Sequence, residues 1–117
     1  DLTHVESLFI LYVMNSVEIA SVDEFKEKAS KIVFYDDTPI VIFKRGNKFF
    51  AIDNRCPHRG ASLGDGEYEG DIVTCPWHEW KFSISTGQAV ENPNCSVRTY
   101  NICIEENVIK LINDRKR

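Results

Sequence analysis

Cys56-Pro57-His58 and Cys75-Pro76-Trp77-His78 each set a thiol and an imidazole a few bonds apart on the chain. Sixteen residues separate His58 from Cys75, which gives the pattern Cys-x-His-x16-Cys-x2-His. Two thiolates and two imidazoles drawn from two loops can hold a [2Fe–2S] centre in which two His replace two Cys on one iron. The same four donors can hold a structural zinc ion. Zinc sites of that composition usually pair Cys with Cys and His with His along the chain, and the mixed order here fits that pattern poorly.

Loops that wrap a metal need a backbone able to fold tightly beside it. The stretch between and around the motifs is dense in Gly, Pro, Asp and Asn, and Pro57 and Pro76 fix the backbone directly after each Cys. Trp77 and Trp80 flank the second motif, where they can limit access of water.

The elements that must carry these loops read as β-strands. Val17 to Ala20 predicts a short strand, and Ser21-Val22-Asp23-Glu24 then fits a capping box. Behind it Val22, Phe25 and Ala29 share one face of a short helix. Lys31 to Tyr35 and Pro39 to Lys44 are rich in Val, Ile and Phe, with turn residues Asp36 to Pro39 between them. Arg45-Gly46-Asn47 turns the chain into Lys48 to Ile52. The alternation stops at Asp53 and resumes near Arg98. Within that insert, about 53–95, Ile72 to Thr74 and Lys81 to Ile84 predict short strands on either side of the second motif. Val97 to Glu105, a turn at Glu106-Asn107 and Val108 to Ile112 predict a final hairpin. The expected fold is all-β: one domain over 1–117, an antiparallel sandwich or barrel with a loop-rich metal-binding subdomain and one short helix.

Composition narrows the function classes. A formal net charge of −4, with no basic run except Arg115-Lys116-Arg117, excludes the clustered cations that nucleic acid requires. The longest apolar run, Leu8 to Met14, is far short of the ~20 residues that span a bilayer. Asp1 and Glu6 stand where an export signal would be basic, so no membrane and a cytoplasmic location are expected. Residues 1–13 read as an N-terminal extension outside the functional core. Of the other cysteines, Cys95 and Cys103 read as buried small hydrophobes carrying free thiols. His4 reads as a surface residue, and Glu67, Glu69 and Asp71 as a solvated acidic face.

The stretch CPHRGASLGDGEYEGDIVTCPWHEWKFSISTG, residues 56–87, resembles the cluster-binding segment of Rieske-type ferredoxins, and the likeness extends over roughly residues 16–113. That resemblance implies one [2Fe–2S] cluster, with Cys56 and Cys75 on the inner iron and His58 and His78 on the outer one. It also implies a third loop, carrying Pro93, that covers the cluster. Rieske proteins of the cytochrome bc type have a disulfide joining their ligand loops, and the corresponding positions here are Ala61 and Trp77. The Ser and Tyr that donate to sulfur in those proteins correspond to Trp80 and Phe82, which do not supply those donors. Fewer donors leave the reduced cluster less stabilised, so the potential is expected near about −150 mV rather than up to +300 mV.

The resemblance implies a one-electron carrier, not an enzyme, with a flavin reductase as donor and an oxygenase or reductase as acceptor. The alternative is a non-catalytic subunit of a larger oxidoreductase, resembling the small subunit of nitrite reductase. A complete ring-hydroxylating oxygenase is excluded by counting. Its mononuclear iron needs two further His and a carboxylate, and after His58 and His78 only His4 remains.

Overall fold

The computed structural model describes residues 16–26, 29–57, 60–77, 79–92 and 94–112. Its strands are β1 (Ser16–Ser21), β2 (Ser30–Tyr35), β3 (Thr38–Arg45), β4 (Lys48–Asp53), β5 (Glu67–Glu69), β6 (Ile72–Thr74), β7 (Lys81–Ser83), β8 (Thr99–Tyr100), β9 (Ile102–Glu105) and β10 (Val108–Ile112). They form three antiparallel sheets, ordered β1-β10-β9, β2-β3-β4-β8 and β5-β6-β7. Among the described residues no helix is long and apolar enough to cross a membrane. The N-terminal extension 1–13 lies outside the described residues.

Turn chemistry sets the hairpins. Asp36 and Asp37 both take positive φ, 55° and 66°, between the paired residues Tyr35 and Thr38. Glu106 and Asn107 do the same, at 51° and 72°, between Glu105 and Val108. Two consecutive left-handed residues match the right-handed twist of the strands they join, and Asp and Asn tolerate that conformation better than most side chains.

β3 explains the architecture. Ile40, Val41, Ile42 and Phe43 are all buried, because both faces of this central strand are covered. Side chains alternate along a strand, so the run divides between two cores. Ile40 and Ile42 pack with Ala20, Phe25, Ile109 and Leu111 against the β1-β10-β9 sheet. Val41 and Phe43 pack with Leu63, Val73, Phe82 and both motif cysteines. The small third sheet contributes to this second core through one cross-strand row, Tyr68, Val73 and Phe82.

Two elements differ from the sequence expectation. The helix is a single 3₁₀ turn, Val22–Phe25, with the capping box in place: Ser21 Oγ accepts from the Asp23 N–H at 3.2 Å, and Glu24 Oε2 from the Ser21 N–H at 3.0 Å. The expected strand Val97 to Glu105 is divided at Asn101. β8 pairs with β4 and β9 with β10, so the chain crosses from one sheet to the other there. Period-two alternation continues through such a crossing, which is why the sequence does not reveal it.

Asp71 also departs from the solvated face expected for it. Its carboxylate accepts from Arg45 Nη1 at 2.6 Å, Ser83 Oγ at 2.6 Å and Ser85 Oγ at 3.1 Å. Arg45 lies over the Phe50 ring at 4.6 Å, and the Tyr68 hydroxyl donates to the Lys44 carbonyl at 2.8 Å. These contacts latch the third sheet to the β3–β4 hairpin. Glu67 and Glu69 are exposed.

Two predictions follow from this packing. Partial burial alone would raise the Asp71 pKa, but Ser83, Ser85 and Arg45 together hold it below the usual carboxylate value. A depressed folded pKa contributes stability above the unfolded value that is lost as pH falls through the folded one. Asp71→Asn should therefore lower the stability at pH 7 by about 1 kcal/mol, a modest figure for a latch open to solvent. The gap to wild type should close below about pH 4 in parallel thermal melts. Second, a Cβ on Gly66 would collide with the Thr74 carbonyl oxygen at the entry to β5. Gly66→Ala should lose about 1–3 kcal/mol in urea unfolding, since backbone must shift to admit it.

Candidate metal centre

Both motif cysteines stand at the base of a hairpin tip. The Cys56 N–H donates to the Ala61 carbonyl at 2.8 Å, and the Cys75 N–H to the Trp80 carbonyl at 2.7 Å. Each bond joins residues five apart, so the same number of residues separates its two ends in both motifs. In the first, the Gly60 N–H also reaches the Cys56 carbonyl at 2.6 Å, with Gly60 at φ 75°. In the second, Glu79 takes φ 59°. By sequence His58 and His78 belong to these two tips; their side chains lie outside the described residues, as does Pro93.

The hairpins bring the two sulfurs together. Cys56 and Cys75 are each 1% exposed, share one core and lie close enough to act on one another electrostatically. Burial pushes the Cys75 thiol pKa up and the neighbouring Cys56 pushes the same way, while the Trp77 backbone N–H on the sulfur works against both. A proton on the Cys75 sulfur, or a cation beside it, is what such a site demands. Around them Leu63, Val73, Phe82 and Ile84 exclude water. Trp80 packs on that core with its ring 6.4 Å from Phe82 and inclined by 28°, whereas Trp77 stands 54% exposed.

Two adjacent buried thiols from separate loops fit the all-sulfur iron of a cluster whose second iron takes nitrogen donors. They are poorly suited to a disulfide framework, and all four cysteines are free. Ala61, 6% exposed, and Trp77 occupy the positions at which the cytochrome bc-type bridge would lie. Cys95 and Cys103 are half-buried rather than fully buried: Cys95 packs beside the site core, and Cys103 lies across from Lys110 in the β9–β10 pair.

Sequence reasoning missed Asn54, the buried polar side chain of the core, at 6% exposure. Its Oδ1 accepts from the Gly64 N–H at 2.7 Å, and its Nδ2 donates to Ser62 Oγ at 2.9 Å. An Asn two residues before a Cys carries no periodic signal, and its partners follow eight and ten residues later. The residues on either side of Pro93, which marks the expected third loop, are tied back to the strands near the site. There Val90 N–H donates to the Lys81 carbonyl at 2.8 Å and Val97 N–H to the Gly87 carbonyl at 2.7 Å.

Comparison with known proteins is consistent across sequence and structure. The family model for the Rieske [2Fe-2S] domain matches residues 15–101. The biphenyl dioxygenase ferredoxin subunit of Pseudomonas sp. (strain KKS102) is 35% identical over 94 residues, covering 79% of this chain and 86% of that protein. The 3-phenylpropionate/cinnamic acid dioxygenase ferredoxin subunit of Photorhabdus laumondii subsp. laumondii is 32% identical over 96 residues, covering 80% and 90%. The solved Sphingomonas yanoikuyae B1 ferredoxin has a TM-score of 0.76 and 29% identity, over 86% of this chain and 100% of that one. Two buried cysteines on matched hairpin tips, an antiparallel β-architecture and a family match over most of its length lead to one conclusion: the chain belongs to the Rieske [2Fe-2S] domain family, which binds one [2Fe–2S] cluster.

Proposed function

We propose that this chain is a one-electron carrier, with Cys56 and Cys75 binding one iron of the cluster and His58 and His78 the other. The observation that carries the reading is the meeting of the two buried thiols at the bases of equal hairpin tips. The cluster supplies a centre that accepts and returns a single electron; the chain supplies everything else. Burial by Leu63, Val73 and Phe82 keeps water from the sulfurs, and the Trp77 N–H steadies negative charge on Cys75. The segment 53–95 acts as a cluster-binding insert within one domain spanning 1–117.

The ferredoxin subunits of biphenyl and phenylpropionate dioxygenase systems support an oxygenase as the acceptor, with a flavin reductase as donor. The protein carries electrons between redox partners and catalyses no reaction of its own. Its free thiols suit a reducing, cytoplasmic setting.

An optical and EPR redox titration, with iron and sulfide assayed on the same sample, tests this. Wild type should contain two irons and two sulfides and titrate as one electron near about −150 mV. Cys56→Ser and Cys75→Ser should purify without the cluster, while Cys95→Ala and Cys103→Ala should keep it at an unchanged midpoint. A colourless protein holding zinc, or cluster loss in Cys95→Ala or Cys103→Ala instead, would overturn the assignment.

A further inference from the structure

We infer that Asn54 is the positioning residue of the first ligand loop, fixing Cys56 against the arm 62–64 without itself touching the metal site. The inference rests on the reading of Cys56 as a cluster ligand, and it starts from an asymmetry between the two hairpins. Below the second tip lies a regular ladder: Thr74 pairs with Lys81, Val73 with Phe82 and Ile72 with Ser83. That ladder is continued on its other side by β5. Below the first tip there is a single bridge, Arg55 with Ser62, and no strand. Both cysteines must nevertheless hold their sulfurs in register to the same small inorganic core.

Asn54 supplies what the missing ladder would. Its backbone N–H donates to the Pro39 carbonyl at 2.9 Å, which anchors it to β3 where β4 turns away. Its carbonyl accepts from the Leu63 N–H at 2.7 Å, and its side chain takes the Gly64 N–H and the Ser62 hydroxyl at 2.7 and 2.9 Å. The carbonyl and both side-chain polar atoms of one buried residue thus tie the outgoing arm 62–64 to the incoming arm of the same loop, while its N–H holds it to β3. Gly64 makes the approach feasible, since a Cβ there would press on the Ile32 side chain and lie 3.0 Å from Asn54 Oδ1. Amide hydrogen bonds of a buried, fully satisfied side chain are directional, so they fix orientation as well as proximity.

The test compares wild type with Asn54→Leu, Asn54→Asp and Ser62→Ala, together with Ile109→Val in the opposite core as a control for general destabilisation. The measurements are bleaching of the visible absorbance by EDTA and the EPR spectrum of the reduced protein. Asn54→Leu, which removes both side-chain hydrogen bonds and leaves the Gly64 N–H without its acceptor, should bleach about tenfold faster or more, with broadened EPR lines. Asn54→Asp keeps the acceptor for Gly64 and can accept from the Ser62 hydroxyl, so it should stay within about twofold of wild type. Ser62→Ala, which removes one partner only, gives the same direction of change at smaller size and serves where Asn54→Leu does not fold. Ile109→Val should melt earlier with an unaltered spectrum. Wild-type bleaching and spectra in both Asn54→Leu and Ser62→Ala would overturn the positioning role, as would equal changes in Ile109→Val. A wild-type protein without iron and sulfide would overturn the cluster assignment itself, and this inference with it.

Discussion

Two sulfurs side by side in an apolar core are the constraint on which the rest of this molecule depends. Cys56 and Cys75 are sealed by aliphatic and aromatic side chains, and burial together with the neighbouring Cys56 resists thiolate formation at Cys75. Charge can gather there only when a cation answers it, because low dielectric magnifies repulsion between like charges as much as attraction between unlike ones. The protein must therefore hold the pair together against its own electrostatics, and it does so with backbone. Each cysteine N–H is committed to closing its own hairpin tip, which fixes the backbone from which each sulfur projects.

The chain meets that demand by giving one strand two roles. β3 carries Ile40 and Ile42 into the core that holds the outer sheets together, and Val41 and Phe43 into the core that holds the sulfurs. Site and scaffold thus share a backbone but not a hydrophobic core. The Arg45–Asp71 contact and the Tyr68 hydroxyl on the Lys44 carbonyl fasten the two at the far end of the same hairpin. Substitutions in one core can then be tolerated differently from those in the other, since packing losses stay close to where volume is removed.

Much of this was legible in the sequence, and the boundary of legibility has a physical basis. The strands were readable because alternation and β-branched content are local signals, as in Lys31 to Tyr35. The capping box at Ser21 was readable for the same reason, its partners being three residues apart. That Ile40 to Phe43 serves two cores was not, because a continuous apolar run states that both faces are covered without stating by what. Asn101 was hidden because a strand changing sheets keeps its alternation. Asp71 was misread because Arg45 lies 26 positions away. In the metal centre, the cysteines were marked by their motifs, whereas Asn54 acts through partners that motif spacing does not encode. The roles of His58 and His78 rest on spacing and family membership.

For an electron carrier, the value of such a site lies in how little it moves. Electron transfer is slowed by any rearrangement that must accompany the change in charge, and preorganised dipoles in a dry cavity reduce that rearrangement. The second ligand loop inherits rigidity from a three-stranded sheet, while the first relies on one bridge and one buried amide. Exposure follows a different logic, since electrons must leave through a surface that a partner can reach. Trp77 is 54% exposed on the tip that ends the stiffer hairpin, two residues from a sulfur that is 1% exposed. An accessible apolar ring thus stands at the end of the hairpin that is backed by three paired strands.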